Sequence, residues 1–267
     1  MMAGFWRYSK LLWLLIKIGF MRQMAYRSHF VMMVAGKVIR MGLLFIFFQA
    51  IFFRVHRIGL WTYDHVLLLF ATFHIVDYLI SITFQRNLAF QLPRRIQTGD
   101  LDSRIILPVN LLFIVSLEEV DLMDFFSFIP CLGFLGWALY RLEFDFSWIQ
   151  FLVYILLVLN ALVFLFSAVL SIATLSFWST RSDGLARIFD NLLKVGRYPL
   201  DIFEGFWRSL FIYVLPLVLI AQLPTQAILK TLSPEMLLFA FGISGLFLLL
   251  SLTFWKLGIK NYLSVGT

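Results

Sequence analysis

One cysteine, four histidines and charge on only 14% of 267 positions set the first limits on this chain. A lone Cys131 in an apolar run excludes a disulfide framework and a multi-cysteine metal site. Soluble domains carry charge on about a quarter of their residues. At 61% hydrophobic and a mean hydropathy of +0.91, no polar block here is long enough to form such a domain. There is no G-x-x-x-x-G-K-[ST] run, so the chain does not itself cradle a nucleotide, and any uphill work draws on a partner or an ion gradient. Glu118, Glu119, Asp121 and Asp124 fall on consecutive turns of one expected helix, which cannot wrap a cation alone. No metal and no cofactor bound by this chain are expected. The net charge of +7 suggests nucleic acid, but the cations flank apolar runs, so membrane orientation explains them and no nucleic-acid partner is expected.

What is present is a series of apolar runs of about twenty residues, the mark of an all-α, multi-pass membrane protein. Six transmembrane helices are expected at 31–53, 65–84, 123–140, 148–178, 206–223 and 236–255. Residues 1–30 read as an interfacial helix: Arg7, Lys10 and Lys17 share one face, while Leu11, Leu12, Leu15 and Ile18 take the other. A cleaved signal peptide fits less well, because Lys17 interrupts the apolar region and no small-residue cleavage site follows. A helix starting at Pro108 and reaching Tyr140 would be about 50 Å long. Its first part, through Asp124, therefore belongs at the interface. Between spans 4 and 5, Leu185, Ile188, Phe189, Leu192 and Leu193 follow an amphipathic helical pattern, capped by Ser182 or Asp183 and ended near Gly196 and Pro199. Pro216 is expected to kink span 5, and Pro224 and Pro234 bracket the short segment 224–235.

Cation counting orients these spans. With the amino terminus inside, inner segments hold Arg7, Lys10, Lys17, Arg22 and Arg27; Arg86, Arg94, Arg95 and Arg104; Arg181, Arg187, Lys194, Arg197 and Arg208; and Lys256 and Lys260. Outer loops hold only Arg54, Arg57, Arg141 and Lys230. A four-to-one bias places both termini in the cytoplasm.

Three groups are candidates for chemistry. His74 and Asp77 share a face of span 2, and ionisable groups inside a span are functional by default, as a proton relay or a cavity lining; the bland reading is a satisfied pair between helices. Phe241-Gly242-Ile243-Ser244-Gly245 contains a G-x-S-G run similar to that of rhomboid intramembrane proteases, but no histidine lies on a later span to activate Ser244. The plainer reading has Gly242 and Gly245 admitting close helix contact while Ser244 bonds its own backbone. Some of the four clustered acids are expected to neutralise Lys37 and Arg40 of span 1.

The longest polar break in the first half of the chain, 85–110, contains Thr98-Gly99-Asp100-Leu101-Asp102 and Pro108, and Leu112-Phe113 follow it. That order resembles the T-G-x-L-D…P…L-F signature of the ABC-2 type permeases. A second block, Phe177-Trp178, Asp183, Asn191-Leu192 and Arg197-Tyr198-Pro199-Leu200, ending near Pro216, is similar to the same family's later block. The resemblance covers nearly the whole chain. It implies a single permease domain in the plasma (inner) membrane of a prokaryote, paired with a second, identical or different permease. It further implies separate ATP-binding-cassette ATPase subunits that hold ATP and Mg. The family's coupling helix falls at about Asn87–Gln97, with Arg94, Arg95, Gly99, Asp100, Leu101 and Asp102 as the docking loop and 224–235 as an external re-entrant segment. Pro93 requires that helix to begin at Leu92 or to be split there. No residue identifies the cargo, and export direction follows from the family. A proton-driven carrier or channel using His74 and Asp77 is the competing class, and an intramembrane enzyme a weaker one.

Overall fold

The computed structural model describes residues 2–24, 27–143, 147–179 and 182–265. Arg181 and the side chains of Arg7, Arg22, Arg27, Ser182 and Asp183, and with them the expected cap, lie outside what is described. The described residues are helical, with one isolated bridge between Ile58 and Trp61 in place of any strand.

Five helices are long and apolar enough to cross a membrane: α2 (Arg27–Arg54), α3 (Tyr63–Thr83), α7 (Leu122–Arg141), α8 (Trp148–Thr174) and α12 (Pro234–Val265). The preceding helix α1 (Met2–Met24) is not among them. Helix α3 is the centre of the molecule. Val66 to Ala71 are all fully buried, an unbroken apolar run that is enclosed on every side. Thr62 caps its start by accepting from the His65 N–H.

Two ends of α3 define two faces. At the Thr83 end, the Asp121 N–H donates to the Ile82 carbonyl, so α7 starts there; at the Tyr63 end, Arg141 meets Asp64 at 2.7 Å, so α7 finishes there. The loops 84–121, helix α1 and the end of α12 share the Thr83 face. Tyr8 of α1 accepts a hydrogen bond from the Asn110 N–H and packs edge-on against Phe113, and Gly19 sits against the Val120 carbonyl. Helices α8 and α12 pack closely where Gly258 faces Phe177 and Thr174: a Cβ there would lie 2.5 Å from the Phe177 ring. Higher up, Asn160 Nδ2 donates to the Ala240 carbonyl, 3.1 Å away. Gly242 and Gly245 do not mediate this contact, since a Cβ on either would meet nothing within 4 Å. The close approach is at Gly258 instead.

The fifth span expected at 206–223 is broken. Helix α10 (Gly205–Ser209) runs into a wide π turn at Leu210–Val214, where the Leu215 N–H reaches back to the Leu210 carbonyl. Pro216 then has φ −65° and ψ 66°, and the Leu217 N–H closes on the Leu215 carbonyl, which is an inverse γ-turn. Lacking an N–H, Pro216 reverses the chain rather than kinking a helix. A single 3₁₀ turn, Leu217–Leu219, leads into the buried α11 (Gln222–Ile228). The chain that runs the length of α3 is the segment before this one. Asp190 of α9 (Ser182–Leu193) accepts from Gln85 at the Thr83 end. Arg197 lies 5.5 Å from the Phe73 ring, midway along α3. Asp201 accepts from the Trp61 indole at 2.7 Å, at the far end. The amphipathic segment expected to lie in one loop thus follows α3 from face to face.

Candidate functional site

The Thr83 face carries a braced loop and, beside it, a polar bay.

The loop begins with Asn87, which is fully buried. Its Nδ2 donates to the carbonyls of Thr83, Ser116 and Glu119, and its Oδ1 accepts from the Glu119 N–H. One amide therefore ties the end of α3 to the end of α6 (Leu111–Leu117). From Asn87 to Gln91 the helix widens to π geometry, with the Leu92 N–H reaching the Asn87 carbonyl. Pro93 supplies the reason: it has no N–H, and its ring would strike the carbonyl four residues back, so the register slips by one. Helix α4 (Leu92–Thr98) follows, with Pro93 in its first turn. Gly99 ends it at φ 78°, a left-handed conformation that suits glycine.

The arginines of this loop divide their work. Arg94 is exposed. Arg95 is buried, and its Nη1 lies 2.6 Å from Glu118 Oε2, an ion pair by distance rather than an aligned hydrogen bond. Arg104 of α5 (Asp102–Ile105) takes the other oxygen of Glu118 at 2.9 Å. Burial pulls the Arg95 pKa below the ordinary guanidinium value, and Glu118 opposes that shift. The hydrogen bond to Glu118 raises that of Arg104. Glu119 accepts from Gln91, whose own oxygen accepts from Arg95 at 2.8 Å. Arg95 is thus a brace, and the exposed docking cation expected there is Arg94 alone.

In the turn, Asp100 accepts from Thr98 Oγ1 at 3.1 Å and stays exposed, while Leu101 is fully buried. Asp102 opens α5 without capping it; its Oδ1 accepts instead from the Tyr262 hydroxyl at 2.7 Å, which ties the end of α12 to the loop. The groove beside α4, about 650 Å³, is lined by Arg86, Phe90, Arg94, Arg95 and Asp100.

The bay, about 300 Å³, lies between α2, α3, the start of α7 and α9. Its cations are Lys37, Arg40, Arg86 and Lys194, and its carboxylates Asp77, Asp121, Asp124 and Asp190. Lys37 pairs with Asp124, Arg86 lies 3.4 Å from Asp121, and Gln85 donates to Asp190. Asp121 also caps α7 by accepting from the Met123 N–H. The acids near Lys37 and Arg40 therefore neutralise Lys37 through Asp124, not Asp121.

His74 and Asp77 do not form a pair. His74 is buried among Phe70, Phe73 and Tyr78, and neither ring nitrogen has a partner. Asp77 turns instead to the bay. Ser244 Oγ is likewise buried without a partner, so it bonds neither its own backbone nor a histidine.

Arg197 donates to the Lys194 carbonyl, and the Tyr198 ring packs 5.7 Å from Phe48 of α2. Pro199 is buried, and the next N–H, Leu200, donates to Gln222 of α11. That second block fixes the break in the chain against α3 and α11.

Asn87, Gln91 and the Glu118–Glu119 pair escaped sequence reasoning, which placed the two glutamates on an interfacial helical face. The available signal was charge complementarity: two acids preceding a span, within reach of two loop arginines.

Residues 38–266, most of the chain, match a family profile described as ABC-2 family transporter protein. Comparison with curated proteins gives no match.

Proposed function

The chain belongs to the ABC-2 family of transporter proteins, a membrane component of ATP-binding-cassette transporters, and on that premise we propose that it is one of two permease halves driven by separate ATPases. Those partners would hold the ATP and Mg that this chain has no phosphate loop to bind. The direction proposed is export across the plasma (inner) membrane of a prokaryote.

The observation that carries the proposal is the braced loop. Glu118 holds helix α4 through Arg95, Asn87 anchors the turn before it and Tyr262 the helix after it, while Arg94 and the groove beside it face outward. A lever must be stiff where it joins the membrane domain and free where it meets its driver. We infer that the ATPase seats on this face, and that closure of the motor moves α4 as a rigid body with the ends of α3 and α12. The path between the two permease halves would then open to the outside, with no chemistry in the membrane.

Six crossings are proposed: the five long helices and the polar, broken segment 182–204 that follows α3. Arg208 then moves to the outer side, where it meets Asp201 at 2.7 Å. The remaining loop cations still favour the Thr83 face, which supports cytoplasmic termini. The external re-entrant stretch would begin near Gly205, earlier than the 224–235 segment read from the sequence. Helix α1, with Trp6 and Trp13 exposed, suits the lipid headgroup layer of the inner face. The bay is the proposed mouth of the path, lined by Asp77; His74, enclosed by aromatic rings, lies behind it.

The test is affinity capture of the tagged chain from its native membrane. An ATP-binding-cassette ATPase should co-purify and be lost with Arg94→Glu. Capture without any ATPase, or capture indifferent to Arg94→Glu, would reject the assignment.

A further inference from the structure

The bay identifies a class of cargo, an inference that rests on the permease reading above. Its cations and carboxylates are equal in number, so it favours neither a net cation nor a net anion. Most of its charges are already engaged, Asp124 by Lys37, Asp121 by Arg86, Asp190 by Gln85 and Lys194 by Asn191. Two charges of opposite sign are left over. Asp77 and Arg40 line the bay, and neither has an ion pair or hydrogen bond among the described residues. Asp77 lies six residues in from the end of α3, about 9 Å deep at 1.5 Å per residue. An unpaired carboxylate at that depth is costly and marks a functional site by default.

We propose that the bay recognises a zwitterionic phosphoester headgroup, the ammonium on Asp77 and the phosphate on Arg40. A guanidinium matches phosphate with paired N–H donors. Tyr78 and Phe90 also line the bay, and aromatic rings suit an alkylated ammonium. A volume of about 300 Å³ takes a headgroup, not a polymer. Next to Arg40, Ile39 and Leu43 on α2 are 62% and 61% exposed, an apolar strip on which acyl chains can lie while the headgroup occupies the bay. The ligand chemistry is thus an ammonium and a phosphate on one short linker, carried either by a lipid or by the free headgroup.

Isothermal titration of the purified full-length chain in a non-ionic detergent tests this. The probes are dihexanoylphosphatidylcholine (both charges), dihexanoylphosphatidylglycerol (anionic), hexyltrimethylammonium (cationic) and glycerophosphocholine (the same phosphodiester headgroup without chains). The double-charged probe should bind about tenfold more tightly than either singly charged one. Asp77→Asn should weaken each ammonium-bearing probe by about tenfold and leave the anionic one unchanged. Arg40→Gln should do the converse, and because Arg40 is exposed and unpaired, this variant keeps the test open if Asp77→Asn does not fold. Ser81→Ala, also in the wall, should change no affinity by more than about twofold. Glycerophosphocholine binding as tightly as its dihexanoyl form assigns a soluble zwitterion; weaker binding assigns a lipid. Equal affinity for all three charged probes, or equal loss of all three in both variants, overturns the proposal. A chain that binds the zwitterion but captures no ATPase keeps the site and rejects the permease reading; one that captures the ATPase and binds no zwitterion does the reverse.

Discussion

Arg95 Nη1 of helix α4 lies 2.6 Å from Glu118 Oε2, and Arg104 holds the other oxygen of that carboxylate at 2.9 Å. One acid therefore secures two arginines of the loop, and the loop becomes a stiff extension of the membrane helices.

Removing the acid should cost more than removing either cation. Glu118→Ala leaves Arg95 buried without a counter-charge, which costs about 2 kcal/mol. A thermal melt of the purified chain should show this. Arg94→Ala, on the exposed side of the same helix, should fall within about 0.5 kcal/mol of the wild type.

Charge reversal separates the two acids at the start of α7. Lys37→Glu and Asp124→Lys should each reduce the folded yield, and together restore it, because Lys37 contacts Asp124. Lys37→Glu combined with Asp121→Lys should not recover, since Asp121 pairs with Arg86 and caps α7. Fluorescence-detected size-exclusion profiles of the five proteins check it.

Among the glycines, Gly258→Ala should destabilise by about 1–3 kcal/mol, because its Cβ would lie 2.5 Å from Phe177 and 2.9 Å from Thr174. Gly242→Ala meets nothing within 4 Å and should stabilise by up to about 1 kcal/mol through helix propensity. Paired melts measure the sign of each.

The segment 182–204 yields a topology prediction. Ile202→Cys, 47% exposed at the Trp61 end, should react with a membrane-impermeant maleimide from outside intact cells. Ile188→Cys should react only after permeabilisation. Labelling of both only after permeabilisation would return the segment to the inner loop.

Much of this was legible in the sequence, and the exceptions have physical causes. Long uncharged runs identify α2, α3, α7, α8 and α12, because a helix is the simplest way to satisfy the backbone in lipid. Pro93 and Gly99 place the start and stop of α4, since each restricts the backbone by itself. The segment 182–204 reads as an inner loop because Asp190, Lys194 and Arg197 look solvated. In the fold these charges are met by Gln85, Asn191 and the Phe73 ring. The apolar stretch 206–223 reads as one helix because hydropathy does not register that Pro216 closes a γ-turn. The pairing of Arg95 with Glu118 depends on how two loop helices fold back, which no local pattern encodes.

The most direct test of ATPase docking is photo-crosslinking from position 94. Benzoylphenylalanine replacing Arg94 should trap the ATPase in native membranes, while the same probe at Leu60, 89% exposed on the opposite face, should not. An adduct at position 94 alone is the result expected here. No adduct at position 94, or equal adducts at both positions, would contradict the assignment of this loop as the motor's seat.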